Sequence, residues 1–224
     1  MADPWLGRTP EPDSPYWPYE KVINAEPFHN ADIIPKVLVD YLMDMPDAQH
    51  TPEDDNALPR CRLMKLIYYD NSLPLDETLP TVAQKLSIKY DPDNPDKPPD
   101  TERGYRIFPQ AIHSEAQLNG QTVLKVYLGP IKPISGKTLF VYRQYVYFDM
   151  VSNVVNESNM VSTALSRTYS MFTAINEAVA GVNFPIMIGT MTLDSVGLLN
   201  DGSTNIGYRA VYYYDIGGTD NAMS

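Results

Sequence analysis

Residues 136–218 carry the pattern that most constrains the fold. Three stretches rich in β-branched and aromatic residues predict strands: 138–150, 184–193 and 206–216. Residues 163–181 repeat apolar side chains at helical spacing, with Ser162 or Thr163 as the expected N-cap and Gly181 just past the C-terminus. The last two strands flank the turn-rich sequence LLNDGSTN. The order strand, helix, strand, strand predicts a compact unit of mixed α and β structure.

The strand predicted at 138–150 carries apolar and aromatic residues at both odd and even positions. We therefore expect it to lie between two layers or to be covered by a partner. The helix that follows should bury one apolar stripe, made of Leu165, Tyr169, Phe172, Ile175 and Val179.

A second helix is predicted near the start of the chain. Asn30 can cap it, and apolar residues recur at helical spacing between Ile33 and Met45. Pro35 falls in the first turn, where proline is tolerated, and Pro46 ends the helix.

Four further stretches predict strands: 60–70, 85–90, 105–114 and 121–131. The segment LPLDETLPTVAQ before the second of them reads as a loop or short helix. Asn119 and Gly120 predict a tight turn between the last two strands.

These elements predict an α+β fold, in which two main helices pack on a mixed or antiparallel β-sheet. We expect one domain over residues 30–218, an exposed Pro/Asp loop at 91–103 and a flexible tail at 219–224. Residues 1–29 hold six prolines, which disfavour helix and central strand and predict an extended arm. The arm carries large aromatic side chains, so it either docks on another part of an assembly or folds back on its own domain.

Composition excludes several functional classes. The formal net charge of −11 argues against a phosphate-binding surface, and no run of Lys and Arg is present. The single cysteine, Cys61, excludes an internal disulfide framework. No apolar run approaches membrane-spanning length, and MADPWLGRTP lacks a signal-peptide core, so we expect no membrane partner.

Catalytic motifs are not found in the sequence. The three histidines lie outside metal-ligand spacing of one another and of Cys61: His29, His50 and His113. Asp91, Asp93 and Asp96 resemble part of a calcium loop but lack its glycine and distal glutamate, which favours a solvated loop. We expect no catalytic residues, no cofactor and no metal.

Sixteen tyrosines are the most distinctive part of the composition. Tyrosine supplies rigid contact area with a polar tip, and many of these residues lie on both faces of predicted strands. We hypothesise that some of them, with aromatics of the arm, face a neighbouring subunit. The predicted interface residues are Trp5, Trp17, Tyr19, Tyr142, Tyr145, Tyr147, Tyr212 and Tyr214.

The C-terminal block resembles the tail terminator (tail completion) proteins of long-tailed bacteriophages. The resemblance is carried by VYRQYVYFDMVSN, the helix SRTYSMFTAINEAVAG, the strand IMIGTMTL and the closing IGYRAVYYYDI. It covers the last third to half of the chain and rests on the order of elements, with an acidic or Asn turn after the long strand. The arm and the insert at 91–103 make this chain longer than the compact family core.

The resemblance implies a virion structural protein without enzymatic activity, assembled in the host cytoplasm. It implies a ring, generally a hexamer, that caps the tail tube and joins it to the neck. Its partners would be other copies of itself, the tail tube protein and neck or connector proteins. DNA would pass through the channel without specific binding, which suits an acidic wall.

Three other functions stay open from the sequence. One is a different virion subunit, such as a connector, baseplate or capsid-associated protein. Another is a monomeric binding module whose tyrosine-rich strands hold a ligand or glycan. The last is an enzyme whose site gathers distant residues, for example carboxylates or Cys61 with a histidine.

Overall fold

The computed structural model describes residues 31–43, 59–68, 80–98, 104–111, 121–134, 141–153, 166–184, 187–200 and 204–217. Its strands are β1 (Ile107–Phe108), β2 (Val123–Pro133), β3 (Val141–Asn153), β4 (Ile188–Asn200) and β5 (Asn205–Gly217). They form one five-stranded sheet in the order β1–β2–β3–β5–β4. β1 pairs with β2 in parallel, and the other neighbours are antiparallel. The predicted α+β fold with a mixed sheet is confirmed.

The described helices are a short 3-10 turn (Ala31–Ile33), α1 (Ile34–Met43), α2 (Pro59–Tyr68), α3 (Val82–Ser87) and α4 (Arg167–Val179). α1 contacts β2, while α4 contacts α2 and the central strands β3 and β5. Apolar residues of α1, α2 and α4 share one core with the sheet. Pro35 lies in the first turn of α1, as predicted.

The two faces of the sheet have different surroundings. Even-numbered residues of the central strands face the helices, and Val146, Phe148, Ala210 and Tyr212 are completely buried there. Odd-numbered residues lie on the opposite face because side chains alternate along a strand. We call this second side the open face. One end of it is covered by a small cluster of buried residues, namely Tyr90, Phe108, Val123 and Val151.

The strand predicted at 60–70 is wrong, because residues 59–68 form helix α2. Nearly every side chain of this helix is buried, including Cys61, Leu63 and Lys65. From residue 63 to residue 68 every side chain is buried, so this part of the helix shows no amphipathic stripe and periodicity could not separate it from a buried strand.

The strand predicted at 85–90 is also largely wrong. Thr81 begins helix α3 with a capping box: its hydroxyl accepts a hydrogen bond from the Gln84 amide, and the Gln84 side chain accepts one from the Thr81 amide. The helix ends at Ser87, and the extended part is limited to a single bridge between Lys89 and Ile107.

Among the described residues of the stretch 105–114, only Ile107 and Phe108 form a strand. This strand runs parallel to β2, so the two strands are not joined by a tight turn alone. Parallel neighbours need a longer crossover connection, which two turn residues cannot supply. Asn119 and Gly120 themselves lie outside the described residues.

Helix α4 begins later than predicted. Its N-cap is Ser166, whose hydroxyl accepts a hydrogen bond from the Tyr169 amide, whereas Ser162 and Thr163 lie outside the described residues. Tyr169 was predicted to be buried but is 45% exposed. Gly181 follows the helix with φ +78°, a conformation that favours glycine, as predicted.

The arm at 1–29 and the tail at 219–224 lie outside the described residues. Of the loop predicted at 91–103, residues 91–98 are described, and most of them are exposed. The Asp91 carboxylate accepts hydrogen bonds from the Asp93 amide and the Asn94 side chain. Those bonds, led by the one from Asn94, lower the pKa of Asp91. The loop acid is therefore used in local turn formation.

Candidate interaction surfaces

Four tyrosines form a continuous band across three strands of the open face. They are Tyr127 from β2, Tyr145 and Tyr147 from β3, and Tyr213 from β5. The rings of Tyr127 and Tyr147 meet edge to face at 5.5 Å, and those of Tyr145 and Tyr213 lie 6.1 Å apart. All four side chains are partly exposed. We call this band the tyrosine face.

A charged pair lies beside the first two rings. Arg209 donates hydrogen bonds from Nε and Nη2 to the two carboxylate oxygens of Asp149, at 2.7 and 2.8 Å. The Tyr127 hydroxyl donates to Asp149 at 2.7 Å and accepts from Arg209 at 2.7 Å. Burial and the bond to Asp149 raise the pKa of Tyr127. The hydrogen bond to Asp149 likewise raises the pKa of Arg209. The Asp149 carboxylate thus accepts hydrogen bonds from Arg209 and Tyr127. These bonds suit a role in holding the two side chains in place rather than in proton transfer.

A second charged pair lies at the other end of the band. Arg143 donates from Nε to Asp215 at 3.3 Å, and its guanidinium lies over the Tyr213 ring at 3.9 Å. Lys132 lies over the Tyr145 ring at 4.8 Å. Cations held over aromatic rings are attracted by the ring quadrupole, so each tyrosine here is fixed by a neighbour.

Gly129 makes room for one of these rings. A Cβ at this position would lie 2.8 Å from Cζ of Tyr147, so only glycine lets the ring rest against the β2 backbone. The Gly129 carbonyl also accepts a hydrogen bond from the Gln144 side chain at 2.9 Å.

The charge of the open face differs from that of the chain as a whole. Among the described residues of β2, β3 and β5, three cationic side chains with solvent exposure lie on it, Lys132, Arg143 and Arg209, against the two carboxylates Asp149 and Asp215, whereas Lys125 on the same face is buried. The chain carries a formal net charge of −11. The open face is therefore a locally cationic surface on an acidic protein.

A different surface lies on the helix side, at the tip of the β4–β5 hairpin. Val196, Leu198 and Ile206 point to that side but are exposed, with exposed fractions of 39%, 72% and 40%. Tyr169 borders them, because its ring packs on Tyr208 at 5.2 Å. We call these four residues, Val196, Leu198, Ile206 and Tyr169, the hairpin patch.

β4 is also an edge strand. Among the described strands it pairs only with β5, and two register shifts fall between Ile188 and Ser195. From Ser195 to Asn200 the pairing is regular, and this segment runs alongside the hairpin patch. A regular edge beside exposed apolar side chains can accept a further strand.

The structure places the predicted interface residues in three different surroundings. Tyr145 and Tyr147 lie on the tyrosine face, as an interface requires, whereas Tyr142 lies on the helix side and is partly buried. Tyr212 and Tyr214 are only 0% and 1% exposed in the folded chain, so assigning these two to an interface was wrong. As even-numbered residues of β5, they pack beneath the helices. Trp5, Trp17 and Tyr19 lie outside the described residues.

Sequence reasoning missed the charged residues of the open face. Arg143 and Asp149 are six positions apart on β3, and Arg209 and Asp215 are six apart on β5. An antiparallel register that brings one opposite pair together therefore brings the other pair together as well, as observed. That equal spacing was the signal available in the sequence.

Within the described residues, no three His, Cys, Asp or Glu side chains are grouped as a metal site. Cys61 is buried in the core. Tyr212 and Tyr214 are buried as well, and burial raises the pKa of both hydroxyl groups. No described helix is long and apolar enough to cross a bilayer.

No protein-family model matches the chain, and no curated protein is significantly similar to it in sequence.

Proposed function

We propose that this protein is a virion structural subunit at the phage head–tail junction, where an oligomeric ring caps the tail tube and joins it to the neck. The observation that carries the self-assembly part is the regular edge of β4 at Ser195–Asn200 beside the exposed hairpin patch. An edge of this kind favours pairing with another chain, and burying Leu198 and Val196 would stabilise that pairing.

The phage assignment is supported by the element order on which the resemblance rests. The long strand β3, the helix α4 and the hairpin β4–β5 follow one another in that order. The negative net charge suits a ring that DNA traverses, because an acidic wall repels phosphates and limits adhesion. In a ring, one surface of each subunit contacts a different surface of the next, so the β4 edge would supply one side of each contact.

The test is the absolute mass of the full-length protein by light scattering over a concentration series, alone and after mixing with purified tail tubes. We expect a closed oligomer, with six subunits as the expected number, and its appearance at tube ends in electron micrographs. A strict monomer that also fails to bind tail tubes overturns the proposal. An oligomer that does not bind tail tubes would support self-assembly but contradict the tail-terminator function.

The tyrosine face favours a second candidate, a monomeric binding module. Four partly exposed tyrosines beside Arg143 and Lys132 form an aromatic, cationic surface that can hold a ligand or glycan. This function predicts a monomer at all concentrations that does not bind tail tubes, so the mass measured alone and with tail tubes separates the two candidates.

A further inference from the structure

The tyrosine face has the chemistry that recognises a proline-rich segment. Proline-rich chains in the polyproline II conformation dock in grooves lined by aromatic side chains, and the ordering cost is low because the segment is preformed. Here Tyr145 and Tyr213 lie side by side, with Arg143 and Lys132 stacked on their rings. The face is therefore aromatic, fixed in shape and locally cationic.

The chain itself contains a segment that matches this chemistry. Residues 10–18 read PEPDSPYWP, in which Pro12, Pro15 and Pro18 recur at every third position. A polyproline II helix has three residues per turn, so these three prolines share one edge of it. Glu11 and Asp13 are the only charged residues of the segment, which makes it acidic. Shape and charge both complement the tyrosine face.

We propose that residues 10–18 of this chain bind across the tyrosine face, with the prolines against the tyrosine rings and the acidic residues near Arg143 and Lys132. The inference does not depend on the phage assignment, because donor segment and acceptor face belong to the same sequence. In this arrangement the acidic, proline-rich segment covers the partly exposed tyrosines.

The linker length permits this arrangement. Ala31, the first described residue, packs on the helix side of the core. The twelve residues between Pro18 and Ala31 can span about 40 Å when extended, whereas a helix layer and a sheet are about 10 Å apart. The segment can thus reach the open face of its own subunit or that of an adjacent copy.

The test uses the full-length protein and its own fluorescence. The chain has two tryptophans, Trp5 and Trp17, and both precede the described residues. When the two tryptophans are excited selectively, their fluorescence reports only on the residues around positions 5 and 17. We expect blue-shifted emission and protection from acrylamide quenching in the unmodified protein. The triple substitution P12A/P15A/P18A should shift the emission to the red and remove the protection, with no change in the circular dichroism of the domain.

A substitution on the face gives the reciprocal test. Y145S/Y213S should produce the same red shift, whereas Y169S, which removes an exposed tyrosine on the opposite side of the sheet, should leave the emission unchanged. Protection that falls on dilution assigns the segment to a second copy, and protection independent of concentration assigns it to the same chain. Both results support the proposal.

Two results would overturn it. One is tryptophan emission in the unmodified protein that is already red-shifted and freely quenched at every concentration. The other is protection that survives Y145S/Y213S while circular dichroism shows an intact fold, because the segment would then dock elsewhere. P95A serves as the control for proline removal, since Pro95 lies in the exposed loop.

Discussion

Asp149 and Arg209 lie directly opposite each other on β3 and β5, and two hydrogen bonds join them. The carboxylate is the more buried partner: the Asp149 side chain is 5% exposed and that of Arg209 is 36% exposed. Removal of the arginine would therefore leave a buried charge with fewer donors, which costs more than the loss of a surface ion pair.

We accordingly expect Arg209→Met to lower the free energy of unfolding by about 2–3 kcal/mol at neutral pH. Arg143→Met is the matched control, because its partner Asp215 is more exposed and the pair is longer. That change should cost about 1 kcal/mol or less. Urea denaturation of both variants is the measurement. Equal costs for the two arginines would show that burial of Asp149 does not set the energetics of this face.

The hydroxyl of Tyr214 provides a test of core packing. Its oxygen is buried and has no hydrogen-bond partner among the described residues, whereas the Tyr212 hydroxyl donates to Asn176 at 3.0 Å. We expect Tyr214→Phe to stabilise the protein by up to about 1 kcal/mol, because it removes an unsatisfied polar group. Tyr212→Phe should instead cost about 1 kcal/mol. Thermal or urea denaturation at neutral pH distinguishes the two, and a loss of stability in Tyr214→Phe would contradict the prediction.

The same two tyrosines predict sensitivity to alkali. Burial raises the pKa of Tyr212 and Tyr214, so the folded state keeps protons that the unfolded chain releases above its own pKa of about 10. Stability is therefore complete below about pH 10 and falls as pH rises further. Unfolding by urea at several pH values should show this decline, and each Phe substitution should make it shallower. A decline of unchanged slope in both variants would assign it to other groups.

The C-terminal half was predictable because its elements are long and separated by clear signals. Residues 138–150 and 206–216 were expected to be strands, and they lie within or overlap β3 and β5. The first half was harder for a physical reason. α2 is buried at every position from 63 to 68 and so shows no amphipathic stripe there, and α3 is a short helix specified by a cap rather than by periodicity.

The candidate surfaces were predictable only in part. Alternation placed Tyr145 and Tyr147 on one face of β3, but it could not say which face the helices would cover. For this reason Tyr212 and Tyr214 were assigned to an interface although they lie in the core. The hairpin patch was not foreseen, because alternation along β4 does not tell whether other elements cover Leu198.

Substitution of two glycines in the β4–β5 hairpin can show how closely β3 and β5 pack. A Cβ at Gly207 would collide with the Met150 carbonyl group and lie 3.0 Å from Cα of Val151, which are backbone atoms that cannot rotate away. At Gly197, on the neighbouring strand, a Cβ would meet no atom within 4 Å. We expect Gly207→Ala to destabilise the protein by about 3 kcal/mol, and Gly197→Ala to change stability by about 0.5 kcal/mol or less. Similar values for both, measured by urea denaturation, would mean that β3 and β5 are less closely packed at this point.

The last prediction concerns the hairpin patch and self-association. Leu198 is 72% exposed beside the regular edge of β4, so a lysine there is tolerated by the isolated subunit but is costly in an interface. We expect Leu198→Lys to weaken self-association about tenfold or more, which corresponds to about 1.4 kcal/mol, and to leave the free energy of unfolding within about 0.5 kcal/mol.

Leu86→Lys is the control, because Leu86 is 57% exposed on α3 and lies outside the patch. It makes the same chemical change and should leave association unaltered. Sedimentation or light scattering over a concentration series measures association, and urea denaturation measures stability. If the two variants associate equally well, the contact between subunits does not involve the hairpin patch. If both associate less well, the effect comes from added charge rather than from the β4 edge.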